Sequence, residues 1–441
     1  MLSVSIVTPS WHYFADPFKL QPLLELYFAT VIDSRFKGKE VKVGVVDLRE
    51  MRRQQNNFQP DKISTYVLQQ DLYLYWIAKT ADYLEIKLIV EELRRLYPQA
   101  KHAAGGTHID NFPNESEAFF DAIVLGPGEE SFIKIVNDSL KGSLQKRYQS
   151  DWQLVKYADY PIARRDYLPK EAIVNRVLFE KYGGVLGTSF LFSRGCCFKC
   201  AYCVYNVPPM IQRRTDQLVK EEIEYLKKEY GIEGVNLRDE ICIPVLEKEA
   251  VSFLQVMGDA EVIWRGQTRV TASKEMLTLA RQTGCIELAI GVESVSPQVL
   301  DIINKKQTVE QVRNFIAAAK EVGIKIKMCL ILGLPGEPPN IVEMTQRFIE
   351  ETQPEYVNIS GFCPIPGSPI YQNPKDYGIK HIDRDWSKFA HLVYRFSDDE
   401  EVGIPFEYEK TNHWGKTFTR PEIINNIKEL QHYLQERQMS Y

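Results

Sequence analysis

The first 140 residues alternate short apolar runs with segments of helical periodicity. The run VKVGVVDL at 41–48 is rich in valine, as strands buried on both faces of a parallel sheet tend to be. The run YLEIKLIVEELRRLY at 83–97 repeats its apolar positions with helical spacing. Apolar runs at 101–106 and 122–130 end on glycine turns. This alternation predicts a doubly wound α/β domain over 1–140, whose ligands lie at the carboxyl ends of its strands.

A second series of strands and helices begins near residue 187, after a connector at 141–186 with weak periodicity. Six units follow, in which an apolar strand precedes an amphipathic helix, and they predict a partial (β/α)6 barrel over 187–375. In such folds the functional side chains lie at the carboxyl ends of the strands. The tail, 376–441, predicts a small helical extension, whose last helix is capped by Thr419 and has Pro421 in its first turn.

Length and composition restrict the class of protein. The chain has 441 residues, 44% of them hydrophobic and 26% charged, which is ordinary for a soluble protein of two or three domains. The formal net charge is −5 and no block of like charge stands out, so we expect no nucleic-acid partner. No apolar run approaches the roughly 20 residues that cross a bilayer, and the N-terminus does not resemble a signal peptide. We therefore expect a cytoplasmic protein with no membrane partner and with reduced cysteines.

Four cysteines stand close together, directly after the first predicted barrel strand. Cys196, Cys200 and Cys203 have the spacing C-x3-C-x2-C, which suits three irons of a [4Fe–4S] cluster and leaves the fourth iron open to another ligand. Cys197 breaks this spacing, and we expect its side chain to point away. A zinc site is the alternative, but it needs four ligands in paired spacings, and no second pair follows nearby.

The cysteine loop CCFKCAYC resembles the signature loop of the radical S-adenosylmethionine (SAM) enzymes, including the aromatic residue before its last cysteine. The resemblance continues in the segments RDE (238–240), WRGQTR (264–269), AIGVES (289–294), LILGLPGE (330–337) and PIPGSPIY (364–371). By position in those motifs, the resemblance implies that the cofactor is contacted by Tyr202, Asp239, Arg265, Glu293, Ser294 and Gly333. An ordered series of motifs at barrel-strand spacing is more specific than any one of them.

The resemblance also implies the chemistry. In such enzymes the open iron of the [4Fe–4S] cluster binds the amino and carboxylate groups of SAM. The cluster then cleaves SAM to methionine and a 5′-deoxyadenosyl radical, which abstracts a hydrogen atom from the substrate. Iron–sulfur potentials reach about −700 mV, low enough to assist this step. An electron donor such as flavodoxin or ferredoxin is therefore an expected partner.

The N-terminal domain resembles the cobalamin-binding domain that precedes many radical SAM barrels, and Gly105 and Gly106 match its later glycine pair. The pattern D-x-H-x-x-G, which supplies the lower ligand of cobalamin, is altered here. The segment DLREMRR has Asp47 and Arg49 but no histidine. We interpret His108, just past the glycines, as a loop histidine and not a metal ligand. Either cobalamin binds without a histidine ligand, or the domain is a retained scaffold.

The remaining cysteines differ in position. Cys242, Cys285 and Cys329 lie in or beside predicted strands, and we expect each to be a core residue. Cys363 stands at the carboxyl end of the sixth strand, before the P-x-P-G turn, on the side of the expected radical. Because a thiol has a weak S–H bond, Cys363 is the candidate catalytic residue that returns a hydrogen atom to a carbon radical. The alternative is that it is another buried small residue.

Three activities are compatible with these residues. The late cysteine and the lack of an auxiliary cluster motif resemble the radical SAM epimerases of the proteusin type, which invert L-residues in a ribosomally made precursor peptide. That reaction, with Cys363 as hydrogen-atom donor and a precursor peptide as partner, is the prediction. The alternatives are a cobalamin-dependent methyltransferase acting on carbon or phosphorus, and a non-catalytic partner that binds SAM or corrinoid.

Overall fold

The chain consists of two compact units, Met1–Glu180 and Lys181–Tyr441. The computed structural model describes residues 1–11, 18, 20–38, 40–51, 59–204, 210–389 and 403–440.

The first unit contains the predicted doubly wound domain. Its strands are β1 (Leu2–Thr8), β2 (Val41–Asp47), β3 (Leu72–Trp76), β4 (Lys101–Gly105), β5 (Ala122–Leu125) and β6 (Arg147–Gln149). They form one parallel sheet in the order β2-β1-β3-β4-β5-β6. The order changes direction between β1 and β3, and in doubly wound sheets this point is the ligand crevice. Leu72 and Tyr75 in β3 are fully buried, as expected for a strand covered on both faces.

The helices of this unit account for the rest of its core. They are α1 (Leu23–Arg35), α2 (Asp82–Leu96), α3 (Thr107–Asn111), α4 (Pro113–Phe119), α5 (Gly128–Leu140) and α6 (Lys170–Ile173). The middle of α1 is buried all round, because it packs against both α5 and β2. The segment predicted as a connector contributes strand β6, and its residues as far as Glu180 belong to the first unit.

The second unit contains the predicted partial barrel. Its parallel strands are β7 (Gly187–Phe190), β10 (Gly234–Leu237), β11 (Ile263–Thr268), β12 (Cys285–Glu293), β13 (Lys325–Leu332) and β14 (Tyr356–Gly361). They pair in the order β14-β13-β12-β11-β10-β7, so β7 and β14 are the two edges. A short antiparallel pair, β8 (Ser193–Arg194) and β9 (Gln212–Arg213), follows β7 and flanks the cysteine loop.

Six helices among the described residues lie in the five connections between the barrel strands. They are α7 (Asp216–Tyr230), α8 (Glu247–Asp259), α9 (Lys274–Gln282), α10 (Pro297–Ile302), α11 (Val309–Glu321) and α12 (Ile341–Thr352). Two of them, α10 and α11, lie between β12 and β13. The side chain of Thr215 caps α7 by accepting a hydrogen bond from the backbone N–H of Leu218. The same helix ends at Gly231, whose φ of 69° is left-handed, as the glycine after the apolar periodicity indicates.

In its described residues, the C-terminal extension has one long helix, as predicted, and two strand pairs that the sequence did not predict. Its elements are α13 (Pro369–Gln372), β15 (Ile379–Ile382), β16 (Phe406–Tyr408), β17 (Thr411–Asn412), β18 (Gly415–Lys416) and α14 (Arg420–Glu436). Thr419 caps α14 in a capping box with Glu422, and α14 packs against β14 and α12. Short 3-10 helices cover Pro60–Thr65, Trp152–Leu154, Tyr157–Asp159, Val177–Tyr182, Pro374–Tyr377 and Trp386–Lys388. Within the described residues, no helix combines the length and the apolar character needed to span a membrane.

Candidate active site at the carboxyl ends of the barrel strands

The cysteine loop follows β7 and is held by backbone contacts from a distant segment. The N–H of Ala201 donates to the carbonyl of Ile303 at 2.8 Å, and Asn304 Nδ2 donates to the carbonyl of Lys199 at 2.7 Å. Cys200 is buried, Cys196 and Cys203 are half-buried, and Cys197 is exposed. Three thiols on one anchored loop, with Cys197 turned to the surface, are a donor set that fits an iron–sulfur cluster.

The described residues contain no group of three or more His, Cys, Asp or Glu side chains placed to hold one metal ion.

The structure brings together two of the predicted cofactor-binding residues, Tyr202 and Glu293. Glu293 Oε1 accepts a hydrogen bond from the Tyr202 hydroxyl at 2.8 Å and pairs with Lys305 Nζ at 2.7 Å. Glu293 ends β12 with a left-handed φ of 65°, and its carboxylate folds back over Gly291. A Cβ at position 291 would lie 2.5 Å from that carboxylate oxygen, which explains the glycine. Lys305, which sequence reasoning missed, therefore joins the cysteine loop to the end of β12.

Ser294 is next to this group but has a local role. It is buried, its N–H donates to the carbonyl of Val292 at 2.9 Å, and its hydroxyl accepts from the N–H of Ser296 at 3.2 Å. Ser296 in turn caps α10. Ser294 thus shapes the turn that leaves β12.

Asp239 and Glu240, after β10, lie against the start of the cysteine loop. Asp239 Oδ1 accepts from the backbone N–H and the hydroxyl of Ser193 at 2.5 and 2.6 Å. Burial raises the pKa of Asp239 well above its usual range. Glu240 accepts from the backbone N–H of Gly195, and burial raises its pKa to about 7. Asp239 Oδ2 and Glu240 Oε2 are buried with no hydrogen-bond partner among the described residues, so this acidic pair has unused acceptors beside the loop.

The two arginines of WRGQTR occupy different levels of the barrel. The predicted cofactor residue, Arg265, lies in the amino half of β11. Its Nε donates to Asn236 Oδ1 at 3.2 Å and its Nη1 lies 3.6 Å from Glu287 Oε1. Arg269 follows the last residue of β11 and donates to Cys200 Sγ at 3.3 Å. The cysteine loop therefore contacts Arg269, while Arg265 belongs to a polar layer deeper in the barrel.

Gly333, predicted to contact the adenine of SAM, forms a tight turn after β13. Its φ is 87°, and its N–H donates to the carboxylate of Glu337 at 2.9 Å. The hydroxyl of Tyr408 donates to its carbonyl at 2.8 Å, and a Cβ at position 333 would lie 2.9 Å from Ile423. Burial raises the pKa of Glu337 to about 8. Sequence reasoning missed Tyr408 and Ile423, which bring the C-terminal extension onto this turn.

Cys363 lies just past β14, at the predicted carboxyl end. It is 3% exposed, and burial alone raises the pKa of its thiol far above the usual range, so it is a neutral S–H group. Cys242 and Cys285 are fully buried, as expected for core residues. Cys329 is half-buried in β13, so it is less enclosed than predicted.

In the first unit, Arg49 occupies the place expected for a cobalamin-ligating histidine. It is fully buried, and its Nε donates to Asp47 Oδ1 at 2.8 Å while its Nη2 lies 2.5 Å from Asp47 Oδ2. Its Nη1 also donates to the carbonyl of Leu20. His108, interpreted as a loop histidine, lies instead in the short helix α3. Its ring stacks on the ring of Tyr83 in the core, with the two centroids 4.0 Å apart. Burial lowers the pKa of His108 to about 3.

Comparison with known proteins adds to this geometry. Residues 190–349 match the Radical SAM superfamily. The chain is 25% identical over 359 residues to an uncharacterized methyltransferase of Pyrococcus horikoshii, covering 76% of this chain and 73% of the relative. It is 27% identical over 341 residues to the anaerobic magnesium-protoporphyrin IX monomethyl ester cyclase of Cereibacter sphaeroides, covering 72% of this chain. The chain spans about half of that cyclase, 54% of its length.

A solved structure shares the fold. The radical SAM methyltransferase TsrM of Kitasatospora setae, with cobalamin and a [4Fe–4S] cluster bound, has a TM-score of 0.63 at 18% identity. The comparison covers 86% of this chain and 78% of TsrM. Residues 190–349 therefore form a radical SAM domain, with the three cysteines on the loop after β7, and this domain follows a doubly wound unit in the chain.

Proposed function

We propose that this protein is a cobalamin-dependent radical SAM methyltransferase. The observation that carries the proposal is that one chain contains both units: a doubly wound unit, which has a ligand crevice, and a radical SAM barrel. The alignment with the Pyrococcus horikoshii methyltransferase covers 76% of the chain, more than either unit alone, so it includes parts of both. Together with the likeness to TsrM, it favours methyl transfer over the peptide epimerisation predicted from the sequence.

In this proposal Cys196, Cys200 and Cys203 hold the cluster, and Glu240 accepts a hydrogen bond from the amino group of SAM. Glu240 suits that role because its Oε2 is buried beside the cysteine loop with no partner among the described residues. A hydrogen-bond donor at that position would satisfy the Glu240 oxygen that burial leaves without a partner among the described residues. When bound, the cluster supplies the electron that cleaves SAM, and the corrinoid carries the methyl group. The chain itself orients SAM through the turn at Gly333.

The corrinoid belongs at the carboxyl edge of the first sheet. Thr8 and Ser10, at the end of β1, have buried hydroxyls with no hydrogen-bond partner among the described residues. They lie where the strand order changes direction, so they offer polar contacts to a ligand in the crevice. The Arg49 guanidinium donates to Asp47 and to the carbonyl of Leu20 and offers no acceptor atom, so it cannot coordinate cobalt. We therefore expect corrinoid to bind without a protein nitrogen ligand from this motif.

Epimerisation of a precursor peptide is the second candidate function, because Cys363 is a buried neutral thiol at the carboxyl end of β14. The hydrogen of such a thiol exchanges with solvent before it is donated. Turnover in deuterated water would place deuterium on each inverted α-carbon, and unlabelled D-residues would count against this role of Cys363.

The test of the main proposal begins without a substrate. The full chain is expressed with cobalamin available and reconstituted anaerobically, and iron, sulfide and corrinoid are measured per chain. We expect about four irons and stoichiometric corrinoid that survives gel filtration. After reduction, ideally by a flavodoxin-class donor, methyl transfer should yield S-adenosylhomocysteine in addition to 5′-deoxyadenosine. About four irons with no corrinoid and no S-adenosylhomocysteine would overturn the proposal and favour the epimerase.

A further inference from the structure

We propose that Arg269 is a positioning residue that raises the reduction potential of the iron–sulfur cluster, an inference that rests on the cluster site proposed above. Its Nη1 donates to Cys200 Sγ at 3.3 Å. Its guanidinium carbon lies 3.8 Å from the centroid of the Phe198 ring, and its Nη2 donates to the carbonyl of Lys305. These contacts hold the cation against one ligand sulfur in one orientation.

The burial of Arg269 requires an anion nearby. The residue is 6% exposed, and its Nε is buried with no hydrogen-bond partner among the described residues. Its contacts are a sulfur, a carbonyl and an aromatic ring, none of which is a carboxylate. A buried guanidinium is costly unless it is paired with negative charge. The thiolates of an assembled cluster supply that charge.

The contact between Arg269 and Cys200 affects reduction of the cluster in a defined direction. One electron passes from an external one-electron donor to the cluster, no bond breaks, and the cluster gains one negative charge. The guanidinium keeps its proton throughout, because arginine stays charged in proteins. A fixed positive charge and a hydrogen bond to a ligand sulfur stabilise the more negative state, so they raise the potential. The donor can then be weaker than the bare cluster would require.

Arg269 also contributes to the geometry of the loop. Arg269 Nη2 donates to the carbonyl of Lys305. The same segment contains Ile303, whose carbonyl accepts from the N–H of Ala201 in the cysteine loop. Substitution of Arg269 could therefore loosen the loop as well as remove the charge. The experiment has to separate these two effects, and the conservative lysine variant does so.

The experiment is a redox titration of the reconstituted full chain, with and without SAM. The EPR signal of the reduced cluster monitors the titration. The variants are Arg269→Gln and Arg269→Lys, and Lys199→Gln is the control, since it removes an exposed charge from the same loop. We expect Arg269→Gln to reduce the equilibrium constant for reduction about tenfold, a shift of about 59 mV to lower potential. Arg269→Lys should recover most of that shift, and Lys199→Gln should leave the potential unchanged.

Two outcomes would overturn the inference. One is an Arg269→Gln protein with full iron content and the wild-type potential. The other is loss of iron from Arg269→Lys, which keeps the charge, because that would show that Arg269 anchors the loop and does not tune the cluster. Neither result depends on corrinoid or on methyl transfer, so this inference and the proposed activity can fail separately.

Discussion

Two of the buried arginines, Arg49 in the first unit and Arg269 in the second, have opposite electrostatic surroundings. Arg49 is fully buried and forms two contacts with the carboxylate of Asp47. Arg269 is almost as buried, but its contacts among the described residues are a cysteine sulfur, a carbonyl and an aromatic ring. Arg49 is therefore neutralised by the chain itself, whereas Arg269 needs the negative charge of a bound group.

This difference separates a structural cation from one that belongs to a cofactor site. A buried ion pair is complete once the protein folds, and its loss lowers the stability of the fold. A buried cation beside ligating sulfurs is neutralised only when the cofactor is present. Its loss changes a property of the cofactor, such as its reduction potential. The comparison therefore predicts which substitutions change stability and which change chemistry.

The largest expected effect is from Cys200→Ala, which removes the sulfur that Arg269 contacts. We expect loss of the cluster and of all 5′-deoxyadenosine formation, because the variant leaves only two of the three proposed ligands. Iron analysis and product quantification after anaerobic reconstitution measure both. Cys197→Ala is the matched control, since Cys197 is exposed on the same loop, and it should keep iron and activity. Equal losses in the two variants would refute the assignment of ligands.

The next effect is from Asp47→Ala, which would leave Arg49 buried without its carboxylate. Breaking a buried pair in this way costs about 3–5 kcal/mol of stability. Chemical denaturation would measure the loss, which should be the same with and without iron. Asp33→Ala is the control, because its pair with Arg164 is exposed and should be worth less than about 1 kcal/mol. A small loss for Asp47→Ala would contradict the view of Arg49 as a self-contained pair.

Glu337 extends the comparison to a buried acid. Its folded pKa is raised to about 8 from an ordinary value of 4.5, so the folded protein retains a proton that the unfolded chain releases. The stability that Glu337 contributes is present below pH 4.5 and is lost as the pH rises to 8, by at most about 1.4 kcal/mol per pH unit. Glu337→Gln should flatten this dependence in melting curves recorded across that range. An unchanged pH profile would show that Glu337 is already ionised in the folded protein.

The smallest expected effect is from Tyr408→Phe, which removes the hydroxyl that donates to the carbonyl of Gly333. A hydrogen bond of this kind is worth about 1 kcal/mol, so SAM binding should weaken about fivefold. Calorimetric titration of SAM into the reconstituted protein would measure it. Tyr433→Phe is the control, because Tyr433 lies in the same extension but its hydroxyl bonds to Glu350. Equal SAM affinities for Tyr408→Phe and wild type would show that the C-terminal extension does not contribute to SAM binding.

Sequence motifs located the barrel end correctly but did not distinguish neighbouring residues within a motif. In WRGQTR, both arginines have suitable chemistry, yet Arg265 pairs with Glu287 inside the barrel and Arg269 reaches Cys200. In RDE, Asp239 accepts from Ser193 and Glu240 accepts from the N–H of Gly195, and each acid keeps one buried oxygen with no hydrogen-bond partner among the described residues. The motif indicates which residue types are present, but their partners come from other strands.

The sequence by itself determined the two α/β units, the cysteine loop and the radical SAM identity of the barrel. The units and the loop follow from periodicity and from spacing along the chain, which are local properties. The radical SAM identity follows from the resemblance of the barrel motifs to that family, which the match over residues 190–349 supports. Only the tertiary structure decided that Lys305 and Arg269 meet the cysteine loop, that Tyr408 reaches Gly333, and that His108 is a core residue. Burial and pairing depend on segments distant in sequence, so they are defined only once the strands and the extension have come together.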